Sequence, residues 1–280
     1  MEGTLLGLGL SGDFGLPLEE QIPLMRRIGF EACFVDWHRG LNLQQLGAVA
    51  RHEGMLMTSV HAPFGRMHKL WEPDGETADV QAELLACLRD CADNGVPVMV
   101  AHAIIGMERH NPTDQGVNNI RPLVEEAERL GVRIALENTE GEEYLAALMN
   151  AFRGSEAVGF CWDSGHELCY NHGRDMLALY GDRLICTHLN DNLGVSDYHG
   201  QITPRDDLHL LPFDGIADWP GIARRLNRHG YRDVLTFELN TVSKRGRHEN
   251  DAYGRMTTEE YLTQAYMRAC RVAALKTRCP

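Results

Sequence analysis

Val132-Arg133-Ile134-Ala135-Leu136-Glu137-Asn138 is the run on which the fold reading turns. Its apolar residues are continuous rather than alternating, which suits a parallel strand buried on both faces. Just before it, residues 116–130 carry apolar side chains at helical spacing and stop at Gly131, where a left-handed residue ends a helix at little cost. Just after it, residues 142–152 are helical again, and residues 158–163 form another short apolar run that ends in an acid. Further apolar runs fall at 4–10, 32–37, 57–62, 98–104, 184–189 and 234–239. Helical patterns fall at 18–28, 43–52, 77–93, 175–180, 219–229 and 258–275. Eight strand–helix units in 280 residues predict an α/β fold, a (β/α)8 TIM barrel spanning residues 1–280 as a single domain. The longest irregular stretches, 67–76, 190–218 and 240–257, each follow a strand and so belong on the catalytic face.

The charge narrows the partners. With 27 Lys+Arg against 40 Asp+Glu, the formal net charge is −13, which disfavours a broad surface for nucleic acid or anionic membrane. No apolar run approaches the ~18 residues of a membrane span, and Met1-Glu2-Gly3 lacks a basic start leading into a signal-type apolar core. Among the 8 cysteines, Cys33, Cys161 and Cys186 sit inside apolar strand runs, while Cys87 and Cys91 lie one turn apart on a helix. Without a Cys-x-x-Cys pair they read as buried free thiols of a cytoplasmic protein.

A competing motif is Gly7-Leu8-Gly9-Leu10-Ser11-Gly12, which spells a dinucleotide-binding G-x-G-x-x-G, with Asp36 ending the next strand. Its first two glycines fall within the strand rather than in the turn after it, and helical pattern begins only near Leu16. Glycines in a tightly packed first barrel strand are the simpler reading.

The chemistry collects at strand ends. Six consecutive runs end in Ser59-Val60-His61-Ala62-Pro63, Val100-Ala101-His102, Leu136-Glu137-Asn138, Trp162-Asp163-Ser164-Gly165-His166, Thr187-His188-Leu189-Asn190-Asp191 and Phe237-Glu238-Leu239-Asn240. On a closed barrel these rim positions converge, and clustered carboxylates repel unless a cation or shared protons compensate. Glu137, Asp163, His188 and Glu238 offer three hard oxygens and one imidazole, a set suited to one divalent ion, Mn²⁺, Mg²⁺, Co²⁺ or Zn²⁺. Such an ion can polarise a carbonyl and stabilise an enediolate. Glu137 and Glu238 then read as a catalytic acid/base pair reaching a substrate from opposite faces. Asp207-Leu208-His209 could add ligands to a neighbouring site, and Pro212-Phe213-Asp214-Gly215 supplies a firm turn near the mouth.

These motifs, in this order and strand phase from His61 to Glu238, resemble the xylose-isomerase-like TIM-barrel superfamily, and within it the sugar phosphate isomerase/epimerase branch. Resemblance to its ketose 3-epimerases implies one divalent ion on Glu137, Asp163, His188 and Glu238, with the two glutamates as acid and base and His166 contacting substrate. The arginine those epimerases use shortly after the metal histidine has no counterpart at Asn192-Leu193-Gly194; Arg205 or Arg247 could substitute in binding substrate. A second branch, the endonuclease-IV-type apurinic-site nucleases, holds three zinc ions. Its nine ligand types have counterparts in order at His61, His102, Glu137, Asp163, His166, His188, Asp207, His209 and Glu238, so a second or third Zn²⁺ is open. That set would suit phosphodiester hydrolysis, but the mixed, partly acidic rim loops disfavour DNA.

The expected function is therefore a metal-dependent isomerase or epimerase acting on a ketose or related polyol, with a small sugar or sugar acid as partner. Elimination from the same enediolate would instead give an inosose-type dehydratase. The apolar stripe Tyr261, Leu262, Tyr266, Val272 and Leu275 on the last helix suits a homo-oligomer or packing on the barrel equally.

Overall fold

In the computed structural model, which describes residues 4–73, 77–107 and 111–278, eight parallel strands lie in the order β7-β6-β5-β4-β3-β2-β1-β8. The strands are β1 (Leu6–Leu10), β2 (Ala32–Asp36), β3 (Leu56–His61), β4 (Val98–His102), β5 (Arg133–Glu137), β6 (Val158–Asp163), β7 (Leu184–His188) and β8 (Leu235–Phe237). Helices α1 (Leu18–Ile28), α2 (Leu43–His52), α3 (Thr77–Asp93), α4 (Asp114–Leu130), α5 (Glu142–Ala151), α6 (Ser164–Cys169), α7 (Met176–Tyr180), α8 (Trp219–Arg228) and α9 (Thr258–Arg278) alternate with them. This is the single-domain (β/α)8 barrel that the continuous apolar runs predict. Gly131 ends α4 as expected, at φ 69°, where its N–H caps the Ala127 carbonyl.

The barrel closes unevenly. β1 pairs with β8 along a ladder, whereas β7 and β8 meet through one bridge, Leu189 to Phe237. Two threonines complete the seam: the Thr236 N–H donates to Thr187 Oγ1 at 3.1 Å, and the Thr236 hydroxyl donates to the Thr187 carbonyl. Just beyond, the Glu238 N–H donates to the Leu189 carbonyl at 3.2 Å. The seam thus seats Glu238 beside His188.

Side chains alternate along each strand. Counting back by two from His102, Glu137, Asp163 and His188 gives Val100, Val98, Ala135, Cys161 and Cys186, which form one buried cluster beneath the rim. The larger core lies outside the sheet, between strands and helices, and includes Trp162, Trp219 and Phe160.

Gly7 and Gly9 lie inside β1. A Cβ on Gly7 would sit 2.9 Å from Thr236 Cγ2, and one on Gly9 would sit 2.7 Å from Phe34 Cζ. Close packing accounts for both glycines. The chain then makes a 3-10 turn at Gly12–Phe14, and α1 begins only at Leu18. The dinucleotide loop is absent.

Two departures from the sequence reading have local causes. β8 stops at Phe237, so Glu238 follows the strand rather than ending it. α6 was not visible in the pattern, because Asp163, the last residue of β6, also caps it by accepting from the His166 N–H at 2.6 Å. Of the irregular stretch 67–76, Met67–Leu70 is a 3-10 turn, and residues 74–76, like Met1-Glu2-Gly3, lie outside the described residues. On α9, Tyr261, Leu262 and Val272 are buried within the chain, where α9 packs on α1 and α8. The seven described cysteines are free thiols, six of them buried. No helix among the described residues is long and apolar enough to cross a membrane.

Candidate metal centre

All nine residues singled out at the rim come together, in three groups. His61, His102 and Glu137 form one; Glu137, Asp163, His188 and Glu238 form a second; His166, Asp207 and His209 form a third. Within each group the ligand-type atoms lie within 4.8 Å of one another. Register explains the first two, since His102 is level with Glu137 and Asp163 with His188 across adjacent strands. The third draws on α6 and on the loop after β7. There His209 holds a left-handed backbone (φ 49°), a conformation a non-glycine residue adopts only under constraint.

Glu137 links the first two groups. Its Oε1 lies 2.8 Å from His188 Nδ1, and its Oε2 lies 3.2 Å from both His61 Nε2 and His102 Nε2. Glu238 Oε2 reaches the same His188 Nδ1 at 3.1 Å. In the third group Asp207 Oδ1 lies 2.8 Å from His209 Nε2 and 3.3 Å from His166 Nε2, with Lys244 Nζ 3.2 Å from Oδ2.

The donor set fits divalent ions. Four carboxylates and five imidazoles are packed together, and the one Lys or Arg among the described residues lining their cavity is Lys244. Backbone carbonyls fix three rings: Nδ1 of His61 on Ala62, of His166 on Asn138 and of His209 on Glu238, at 2.9, 3.1 and 3.1 Å. With Nδ1–H donating outward, each Nε2 turns its lone pair into the site, which is how metal-binding imidazoles are oriented.

Without such ions, protons do the balancing. Burial disfavours the charged His61 and His209, but Glu137 and Asp207 respectively outweigh it and push both up to about 9. Burial likewise works against charged Glu238, yet His188 and His209 hold its carboxyl down to about 2. Burial dominates at Asp163, raised to about 6, while at Glu137 the three surrounding imidazoles prevail and hold it well below the usual carboxylate range. These imidazolium–carboxylate pairs are the arrangement that divalent ions would replace, releasing protons.

A second layer holds the ligands in place. Asn138 Nδ2 donates to the Asp163 carbonyl at 2.9 Å and its Oδ1 accepts from the Asp163 N–H at 2.8 Å, locking β5 to β6. Asn190 Nδ2 donates to Asp163 Oδ2 at 2.8 Å. That approach requires Gly165, where a Cβ would lie 1.8 Å from Asn190 Oδ1. Phe34 stacks on His188 with ring centroids 4.6 Å apart.

The cavity above these groups measures about 210 Å³ and is walled by Phe64, Ile105, Tyr170 and Pro204 together with the ligand residues other than Asp163 and His188. Neither Arg205 nor Arg247, the arginines the sequence offered for substrate binding, is among the residues lining that cavity. Arg205 is exposed and outside the lining, and Arg247 is held by Asp206 at 2.6 Å and by Glu249 at 2.8 Å. Lys244 is the cation that reaches the cavity.

Asp191 also has a different role from the rim acids around it. Fully buried, it accepts from the backbone of Asn192, Phe213 and Ala217 and from Trp219 Nε1, at 2.8–3.0 Å, and so pins the 190–218 loop. Asp36, by contrast, belongs nearer the site than the motif reading suggests: it is level with His61 where β2 and β3 end at the rim. The strand-end rule applied to β2 would have found it.

A family profile described as xylose isomerase-like TIM barrel matches residues 22–258. The chain belongs to that family. Over 113 residues it is 39% identical to y4fM of Sinorhizobium fredii (strain NBRC 101917 / NGR234), a match covering 38% of this chain and 33% of that longer protein. Among solved structures, the IolI protein with a bound zinc atom superposes with TM-score 0.75 at 19% identity, over 96% of this chain and 98% of that one. D-psicose 3-epimerase with D-tagatose, from Clostridium cellulolyticum H10, gives TM-score 0.71 at 15% identity, over 97% and 99%. Identities this low speak for the shared barrel only.

Proposed function

We propose that this xylose isomerase-like barrel is a divalent-metal isomerase or epimerase that moves a proton at the carbon beside the carbonyl of a small ketose or related polyol. The observation that carries the reading is the placement of Glu137 and Glu238. Both line one small walled cavity, and they flank His188 Nδ1 at 2.8 and 3.1 Å. An ion held by Glu137, Asp163, His188 and Glu238 would supply Lewis-acid polarisation of the carbonyl, with Mn²⁺, Mg²⁺, Co²⁺ or Zn²⁺ all suited to the set.

Of the two glutamates Glu238 is the more accessible, its side chain 26% exposed against 0% for Glu137. It removes the proton, and Glu137 returns one on the opposite face of the enediolate. Lys244 meets the acidic or phosphorylated end of the substrate, and the 210 Å³ cavity limits that substrate to about the size of one sugar. Loss of water from the same enediolate would make the enzyme an inosose-type dehydratase. The zinc of IolI and the D-tagatose of the psicose epimerase support a metal site and a sugar in this barrel.

One observation favours a second reading. Glu137 shares its two oxygens between two groups, and the third group stands ready beside them, as a multinuclear zinc phosphoesterase needs. The acidic balance and small cavity point such an enzyme to a small ester rather than DNA.

The test is a screen of ketoses and inososes in D₂O with added Mn²⁺, following exchange of the proton beside the carbonyl. Exchange that disappears in Glu238→Gln is the expected result, with about one ion per chain sufficient. No exchange on any sugar, with phosphoester cleavage supported by two or three Zn²⁺ per chain, would transfer the assignment to the second reading.

A further inference from the structure

His188 faces two ways. Its Nδ1 serves the carboxylates of the metal centre, while its Nε2 is buried without a hydrogen-bond partner. On that far side stand two thiols, Cys161 and Cys186, level with each other on β6 and β7 and both buried in the barrel interior. The two sulfurs and a His188 ring nitrogen lie within 4.8 Å of one another. We propose that Cys161, Cys186 and His188 Nε2 form a second metal site for a thiophilic divalent cation such as Zn²⁺ or Cd²⁺, seated on the floor of the catalytic rim.

The chemistry of the set is specific. Thiolate and imidazole ligands select soft or borderline ions, whereas the carboxylate-rich groups above suit harder ones. Binding forms two metal–sulfur bonds and sends to solvent the protons that the thiols and the His188 ring hold, so a divalent cation, two thiolates and a neutral imidazole carry no net charge. That neutrality is what makes the site tolerable in the apolar surroundings of Val98, Val100 and Ala135. Ser59 Oγ is likewise buried without a hydrogen-bond partner and is available to complete the ligand set.

An access route exists that does not cross the catalytic face. A cavity of about 520 Å³ opens among the starts of β3, β4, β5 and β8, at the opposite end of the barrel, and reaches Cys186. Its wall includes Thr58, Pro97, Ile185 and Thr236. The two sites share one ring. A neutral imidazole has one lone pair, so a cation on Nε2 draws His188 away from the tetrad unless the ring becomes an imidazolate. Loading from below is therefore antagonistic to loading from above.

Cd²⁺ is the probe, titrated into full-length protein before and after treatment with a chelator. The expected result is ultraviolet sulfur-to-cadmium charge-transfer absorption that saturates at one equivalent and is stronger after chelation. It should vanish in Cys161→Ser and Cys186→Ser with the loss of one Cd²⁺ per chain, and persist in Cys87→Ser/Cys91→Ser, whose thiols lie on α3. A ¹¹³Cd resonance of the wild-type protein in the range of a two-sulfur ligand set confirms the site without relying on a variant. Absence of the charge-transfer band before and after chelation, its survival in Cys161→Ser/Cys186→Ser, or a resonance in the range of oxygen and nitrogen ligands alone would overturn the proposal.

Discussion

Adding one methyl group at Gly9, remote from every metal ligand in sequence, should loosen the metal centre. The alanine Cβ would stand 2.7 Å from Phe34 Cζ, and ordinary contact begins at 3.4 Å, so the ring must give by 3.4 − 2.7 = 0.7 Å. Phe34 is 2% exposed and has no solvent to move into; its face is already stacked on His188, with centroids 4.6 Å apart. The ring slides across the imidazole and takes His188 Nδ1 out of line with Glu137 and Glu238. Overpacking of this kind costs about 1–3 kcal/mol, and disturbing a group that orients a ligand lowers metal affinity roughly 10–100-fold. Urea unfolding of the chelator-treated protein reads the first effect, and competition with a fluorescent chelator reads the second. Gly12→Ala is the control, because a Cβ there meets nothing within 4 Å. If Gly9→Ala binds metal as tightly as the wild type, or if Gly12→Ala weakens it equally, the coupling from β1 through Phe34 to His188 does not exist.

Three further outcomes follow from the site. Asp191→Ala orphans four donors that pin the 190–218 loop; at about 1–3 kcal/mol for each buried donor left unsatisfied, the Asn192 N–H and Trp219 Nε1 alone should lower stability by about 2–6 kcal/mol, while a crystal soak still finds metal on the tetrad. Lys244→Gln should raise KM for an acidic or phosphorylated sugar by about tenfold and leave KM for a neutral one unchanged, as loss of a single charged contact predicts. The third outcome concerns pH. His61 and His209 titrate near 9 in the metal-free fold against 6.5 for the ordinary group, so their stabilisation is full below pH 6.5 and is lost as pH rises through 9. The melting temperature of the metal-free protein should fall across that window, whereas metal affinity, which requires those protons to leave, should rise.

How much of this the sequence carried can be argued residue by residue. The barrel was legible because buried parallel strands write continuous apolar runs and Gly131 marks a helix end. His102, Glu137, Asp163 and His188 were legible because each ends its strand, and strand ends converge on one rim of a closed barrel. Asp207 and His209 were legible only as an Asp-x-His pair that could serve a neighbouring site, and His166 through family resemblance, since no strand places them and the loop's left-handed turn at His209 leaves no periodic trace. Asp36 obeyed the strand-end rule but was absorbed by a glycine motif that close packing explains better. Asp191 looked like one more rim acid; its role is set by donors 22 to 28 positions away at Phe213, Ala217 and Trp219, which local pattern cannot reveal. The same holds for Arg247, whose partner Asp206 lies 41 positions earlier in the chain.

The account rests on the strand-end tetrad holding a divalent ion. Crystals of the full-length protein grown with Mn²⁺ and measured at the manganese absorption edge test this directly. The account predicts an anomalous peak bonded to Glu137, Asp163, His188 and Glu238, and its loss in Asp163→Asn. A map with no peak among those four side chains, from crystals that diffract well and contain Mn²⁺, would contradict it.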